Sequence, residues 1–374
     1  MTGNLLQPGR APSGGDTSQE ASRVSHFCRR DSDGRVVCEM CPRACRLSEG
    51  QRGLCFVRAC HEGQVVFTSY GRSTGFCIDP IEKKPLFHFL PGTPVLSFGT
   101  AGCNLTCKFC QNWETSRARQ VENVSTPALP APIAETAVRH DCRSVAMTYN
   151  DPVVFYEYAV DVADACRSVG LRTVAVTAGY MMPAPREEFY RHIDAANVDL
   201  KAFTQRFYRE LSGGDLGPVL DTLVYLREKT KVWLEITTLL IPGENDSDGE
   251  LDQMTRWLAA NVGRDVPLHF SAFHPDFRLL DRPPTSLATL QRARSIAKGN
   301  GLHHVYIGNV RDDEGSTTLC GGCGAKLIGR VGYDIVFWTL TPQGACPACG
   351  VVCAGHFEEQ PGRWGNRRQP VRIV

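Results

Sequence analysis

The sequence predicts an α/β protein: a partial or full (β/α) barrel with a Cys-rich N-terminal extension and a zinc-ribbon-like C-terminal one. Three observations predict it. Between about Val95 and Asn309, short β-rich runs alternate with helical stretches about six times, as repeated βαβ units do. Several of the runs are apolar almost throughout, which suits a parallel sheet buried on both faces. Polar, Gly and Pro residues recur where the runs end, where a barrel of this kind carries its chemistry. A doubly wound open sheet is the structural alternative, but no Gly-rich dinucleotide fingerprint follows the first strand.

In order, the strand candidates are "VLSFGT", "SVAMTY", "RTVAVTA", "NVDLKAF", "VWLEITTLLI", "LHFSAF" and "HVYIG". Each is rich in Val, Ile, Leu, Thr or Phe. The segment "VVFYEYAVDVADACRSVG" sets Phe155, Ala159, Val162, Cys166 and Val169 on one stripe and stops at Gly170. "GELDQMTRWLAANVG" and "SLATLQRARSIAKGNG" have the same periodicity, with Ser286 as N-cap of the second. The strand ends carry "GTAGCNLTC" after the first, "TYNDP" after the second, "TAGY" after the third, "DLK" at the fourth and "FHPD" at the sixth.

With 374 residues the chain holds one large domain with appendages or two ordinary ones. The expected divisions are a disordered tail (1–25), a Cys-rich region (26–92), the (β/α) core (93–314), a zinc-ribbon-like module (315–359) and a basic tail (360–374). The tail expectations rest on the Gly/Pro/Ser-rich start and the "GNRRQPVR" end. The net charge of +1 gives no pull towards nucleic acid or an anionic membrane. No apolar run approaches the 18 or so residues of a membrane span, and no secretory signal is visible. A cytoplasmic protein is expected. Its 17 cysteines are then metal ligands or catalytic groups rather than disulfides.

Most cysteines fall into groups. Cys103, Cys107 and Cys110 are spaced C-x3-C-x2-C on the loop after the first strand. Three thiolates on one loop can hold three irons of a cubane and leave the fourth open to a substrate or cofactor, whereas electron-transfer ferredoxins use four Cys. Thr100, Ala101 and Gly102 let backbone approach the sulfides, and Phe109 can shield the cluster. "CGGCG" and "CPACG" supply Cys320, Cys323, Cys346 and Cys349, two C-x2-C knuckles that predict a closed structural zinc site; Cys353 follows them. Cys38, Cys41, Cys45 and Cys55 predict either zinc or a second iron–sulfur cluster. Cys142 and Cys166 stand alone in helix-like contexts, as buried hydrophobes.

The C-x3-C-x2-C motif, with an aromatic before its last Cys, resembles that of the radical S-adenosylmethionine (SAM) superfamily. The segments "DPIEKKPLFHFLPG", "GCNLTCKFCQNW", "TYNDP", "NVDLKAF" and "VYIGN" together resemble the subfamily related to pyruvate formate-lyase activating enzyme, and within it the AmmeMemoRadiSam system radical enzyme, over about residues 36–356. The resemblance implies a radical SAM type core with a [4Fe–4S] cluster on Cys103, Cys107 and Cys110. SAM is chelated at the open iron and cleaved to a 5′-deoxyadenosyl radical that abstracts hydrogen. It implies cofactor contacts from Asn150 and Asp151 in "TYNDP", Thr177 in "TAGY", Asp199 and Lys201 in "DLK", and His274 in "FHPD". "TYNDP" replaces a Gly-Gly-Glu-Pro loop, Ala178 replaces an Asn, and Val176 replaces an Asp, which speaks against a cation site there. It also implies an electron donor such as flavodoxin or ferredoxin, a glycyl-radical-type activating role, and AMMECR1-like or Memo-like partners.

A structural reading stands beside each assignment. Lys201 can be a solvated strand-end lysine, His274 a capping or core histidine, and Asp151 the start of a helix with Pro152 in its first turn. Glu235 can face the barrel or the surface. "DPIEKKPLFHFLPG" can pack Leu86, Phe87 and Phe89 under the sheet, or present Lys83, Lys84 and His88 at the mouth of the site. Two other function classes compete: an iron–sulfur electron-transfer protein, and an adaptor whose cysteines all hold zinc.

Overall fold

The computed structural model describes residues 22–120 and 124–373. Its centre is a run of seven parallel strands: β1 (Pro94–Gly99), β2 (Ser144–Met147), β3 (Arg172–Thr177), β4 (Ala195–Asp199), β5 (Trp233–Leu240), β6 (Leu268–Ala272) and β7 (Val305–Gly308). They pair in sequence order from β1 to β7. The segment Arg72–Pro80 adds antiparallel to β1. The sheet is therefore open between β7 and β1, and the barrel is partial. Among the described residues, six helices of seven or more residues connect the strands: α1 (Pro130–Arg139), α2 (Tyr156–Ser168), α3 (Pro183–Phe189), α4 (Gly217–Lys229), α5 (Asp248–Asn261) and α6 (Leu287–Gly299). Ser286 caps α6, its hydroxyl accepting from the Thr289 amide at 3.1 Å. Gly170 ends the α2 stripe at φ 78°, a conformation in which a side chain is strained. Cys142 and Cys166 are buried in the core.

Strand periodicity divides the interior into two levels. Towards the strand starts, a hydrophobic plug from the lead-in segment fills the sheet. Ile81, Leu86 and Phe89 pack on Val95, Ala146, Val174 and Ala195. The Phe87 ring lies 4.7 Å from that of Tyr306, so the same segment reaches both β1 and β7. Glu235 of β5 faces this plug and is fully buried. Its carboxylate accepts from the amides of Phe87 (3.0 Å) and His88 (2.8 Å), from Trp233 Nε1 (3.0 Å), and lies 2.7 Å from His269 Nε2. Asn197 donates to the Pro85 carbonyl at 2.8 Å. Two residues further along the same strands, Val176, Asp199, Thr237 and Ser271 line a cavity.

The lead-in is thus structural, and its polar residues do not line the mouth. Asp79 holds Lys83 and Lys84 at 2.9 Å each, with Lys84 buried. His88 is fully buried between the Ala354 carbonyl and Tyr306, and burial holds it well below the usual histidine range. Glu235 serves the plug rather than a substrate or the surface.

Both extensions form small antiparallel sheets. Gln64–Phe67 pairs with Arg23–Val24 on one side and Arg58–His61 on the other, and Val36–Cys38 pairs with Cys28–Arg30 and Arg46–Leu47. Residues 1–21 of the expected N-terminal tail lie outside the described residues, and Arg23–Val24 is a strand. The C-terminal sheet comprises Thr318–Leu319, Lys326–Val331 and Asp334–Trp338. Its Arg330 is buried, donates to the Phe87 carbonyl at 2.7 Å, and lies 3.7 Å from the buried Glu82. The expected basic tail is not free. The amides of Gly362 and Trp364 bond the carbonyls of Pro91 and Gly92, and Gln369–Pro370 pairs with Cys77 and Ile78. An exposed sheet edge offers unpaired amides and carbonyls, and this strap covers part of one. Among the described residues no helix is long and apolar enough to cross a membrane.

Replacing Glu235 with Ala is expected to destabilise the fold by about 3–5 kcal/mol in denaturant unfolding, because it strips a buried acceptor from four donors. Glu235→Gln is expected to lose less.

Candidate functional site

The cavity of about 270 Å³ lies at the C-terminal ends of the strands, where a (β/α) core places its chemistry. The loop after β1 brings Cys103, Cys107 and Cys110 to its wall. Two contacts dictate the loop path. Gly102 has φ 84°, and a Cβ there would lie 2.1 Å from the Cys55 carbonyl oxygen, so only glycine fits. Asn150 is buried and rivets the same loop: its Oδ1 accepts from the Thr100 amide (3.0 Å), and its Nδ2 donates to the Gly102 carbonyl (2.7 Å) and Thr100 Oγ1 (3.0 Å). Both ends of its amide are therefore used on the backbone that carries the cysteines.

Asp151 is buried beside it. It accepts from the Val153 amide (3.1 Å), Thr177 Oγ1 (3.0 Å) and the Ala178 amide (2.9 Å), tying the exit of β2 to that of β3. It also caps the turn at Pro152–Phe155, so the helix-start reading holds as well. Burial raises its pKa against the pull of these bonds. Across the cavity, Lys201 Nζ lies 2.9 Å from Asp199 Oδ2 and 6.0 Å from the centre of the Phe109 ring. Burial works against its charge, but Asp199 and Cys107 outweigh burial and shift its pKa upward. Lys201 is thus a partly buried, paired cation inside the site and not a solvated one.

The structure brings Cys103, Cys107, Cys110, Asn150, Asp151, Thr177, Asp199 and Lys201 to one cavity. It does not bring His274, which is exposed and outside the cavity wall. Strand alternation explains this: Ser271 points inward, and the chain has left the strand by His274. Sequence reasoning missed Tyr149, Thr237 and Ser271 in the wall. The period-2 pattern through Glu235, Thr237 and Leu239 could have found one of them. A larger cavity of about 880 Å³ opens at the other end, near Arg143, Arg172 and Lys231, with no cysteine in its wall.

The donor set fits a cluster with one open corner. Burial pushes Cys103 up to about 12 and raises Cys107, so bare thiols there are protonated, and metal ligation is what makes them thiolates. Phe109 is buried against Phe207, which keeps water from one side.

The sequence model of the radical SAM superfamily matches residues 98–254. A relative from Methanocaldococcus jannaschii, itself uncharacterized, is 39% identical over 329 residues, 88% of this chain and 98% of that one. The chain belongs to the radical SAM superfamily. It is also similar to the pyruvate formate-lyase-activating enzyme of Clostridium pasteurianum, at 25% identity over 168 residues, 44% of this chain and 67% of that one. A solved domain of pyruvate-formate lyase-activating enzyme from Bacteroides vulgatus shares 17% identity at a TM-score of 0.40, covering 44% of this chain and 99% of that domain. By its sequence matches the protein is a radical SAM enzyme related to activating enzymes, and its family implies a [4Fe–4S] cluster, SAM and an electron donor.

On the turns beside the C-terminal sheet, Cys320, Cys323, Cys346 and Cys349 lie within 4.8 Å of one another, with sulfur–sulfur distances of 3.5 Å (Cys320–Cys349) and 3.7 Å (Cys323–Cys346). The Gly322 amide points to Cys320 Sγ at 3.4 Å.

Gly102→Ala is expected to lower reconstituted iron content at least several-fold, measured as iron per chain. Gly170→Ala, with similar φ but nothing within 4 Å, is the control and is expected to keep its iron.

Proposed function

We propose that the chain cleaves SAM reductively at Cys103, Cys107 and Cys110 and directs the resulting radical to abstract hydrogen from a protein or small-molecule substrate. The observation that carries this reading is the meeting of three thiols from one loop with the Asp199–Lys201 pair in a single cavity. When bound, the [4Fe–4S] cluster supplies the electron that breaks the sulfonium C–S bond and an open iron for the methionine end of SAM.

The residues divide the remaining work. Lys201 attracts the methionine carboxylate, and Asp199 holds its ammonium in place. Asp151 retains a lone pair on Oδ2 for the methionine ammonium, since that oxygen has one bond from the Ala178 amide. Thr177 fixes the Asp151 carboxylate. Asn150 positions the cysteine loop and has no amide atom left over for the cofactor. His274 has no part in this arrangement.

The likeness to activating enzymes supports a glycyl-radical-type role, with a glycine of a partner protein as hydrogen donor. The resemblance of "DPIEKKPLFHFLPG" to the AmmeMemoRadiSam branch supports AMMECR1-like or Memo-like partners. Flavodoxin or ferredoxin suits the reductant. The four close thiols beside the C-terminal sheet support a structural zinc: a tetrahedral ion with bonds of about 2.3 Å separates its sulfurs by about 3.8 Å.

The test is 5′-deoxyadenosine formation by anaerobically reconstituted protein with dithionite and SAM, read by mass spectrometry. Product is expected from the wild type and none from Cys110→Ala; no product from a fully loaded wild type sinks the reading. Lys201→Ala is expected to raise the KM for SAM about tenfold or more, the loss of a charge-assisted contact. His274→Ala is expected to stay within about twofold of wild type. A cofactor role for His274 would instead show as a KM change like that of Lys201→Ala.

A further inference from the structure

Behind the three-cysteine loop lies another cysteine group. Cys38, Cys41, Cys45 and Cys55 all line one small cavity, closed by apolar side chains such as Leu47 and Val154. Its partner could be one metal ion or several, and sulfur spacing separates the two. The C-terminal knuckles show what a single-ion site looks like in this molecule: four thiols within 4.8 Å of one another. Among the described residues, no three of Cys38, Cys41, Cys45 and Cys55 come that close, and neither do Cys103, Cys107 and Cys110. Nor do any two of the N-terminal four make the sulfur–sulfur contacts that the knuckle thiols make. Four thiols that share a cavity yet stand apart match a cofactor with one metal per thiol.

The wall of the cavity adds a charge argument. Arg43 and Arg58 both line it. Arg58 is fully buried and gives two bonds to Glu157, at 3.0 and 2.7 Å, but its Nε has no hydrogen-bond partner. Arg43 donates through Nε to the Asn104 carbonyl at 3.1 Å, while its Nη2 is buried and unpartnered. A buried guanidinium N–H without an acceptor is costly. Sulfides and thiolates of a net anionic cluster would supply the acceptors.

We propose that Cys38, Cys41, Cys45 and Cys55 hold a second [4Fe–4S] cluster rather than zinc, ligated at all four corners and backed by Arg43 and Arg58. It sits back to back with the SAM site: Asn104 lines its cavity, whereas the adjacent Cys103 lines the other. The contrast with the zinc-like knuckles stands independently of the radical reading; the likeness to the three-cysteine spacing rests on it.

The experiment measures iron, sulfide and zinc per chain in anaerobically reconstituted protein. The wild type is expected to hold about eight irons, and the triple variant Cys103→Ala, Cys107→Ala, Cys110→Ala about four irons with matching sulfide. The reduced triple variant is expected to give a cluster electron paramagnetic resonance signal that SAM does not alter. The double variant Cys41→Ala, Cys45→Ala is expected to fall to about four irons, with its signal still altered by SAM. Retained knuckle zinc and an unchanged circular dichroism spectrum report that each variant is folded. About four irons and two zincs in the wild type overturns the proposal whatever the variants do, as does a folded, iron-free triple variant. Iron retained by the triple variant, with no 5′-deoxyadenosine from the wild type, sinks the SAM-cleavage reading and leaves this one standing.

Discussion

The architecture depends on one buried carboxylate. Glu235 has no exposure, yet it draws together a strand, the lead-in and the neighbouring β6 through four polar contacts. A charge so placed is tolerated only when nearly every lone pair is used. Satisfying it forces Phe87 and His88 under the sheet, and their backbone position then dictates where Leu86 and Phe89 pack. The plug keeps the lower level dry and fills it, so that polar residues one pleat higher face open space. The chemistry at the strand ends is a consequence of how the strand starts are closed.

Thiol burial is the second organising cost. In the N-terminal group and on the three-cysteine loop, burial raises thiol pKa values, to about 11 for Cys38 and about 12 for Cys103. Apolar walls that suppress ionisation also shield a bound cluster from water. Surroundings that disfavour a bare thiolate would make a ligated one durable. Gly102 is the point at which two such pockets share a wall, with its backbone against Cys55.

Much of this was legible in the sequence, for identifiable reasons. All seven core strands announced themselves by β-branched and apolar runs, although "NVDLKAF" began late: β4 starts at Ala195, and the chain leaves it after Asp199. Helices α1, α3 and α4 escaped notice because Pro, Ala and Gly crowd their first turns, where proline is welcome but resembles a loop. The cysteine groups were visible as spacing. Which strand residues face inward was not, because facing is a property of the curled sheet. That is why Ser271 was overlooked, whereas His274 was taken from the family resemblance alone. The partners of His88, and those of Glu235 in the lead-in and on β6, were equally hidden, since they lie across the fold and far away in sequence.

Arg330 has a consequence for the order of events at the ribosome. It is contributed by the C-terminal sheet, made after the whole (β/α) core, but it lodges beneath the lead-in, against Glu82 and the Phe87 carbonyl. Burial pushes the Glu82 carboxyl up to about 7, with Arg330 opposing that rise. Until the C-terminal sheet emerges, a nascent core therefore lacks the cation that belongs under its floor. Its strands can assemble, but its base stays wet and loosely held. Sealing of the base therefore waits for the C-terminal sheet, which is synthesised after the strands it closes.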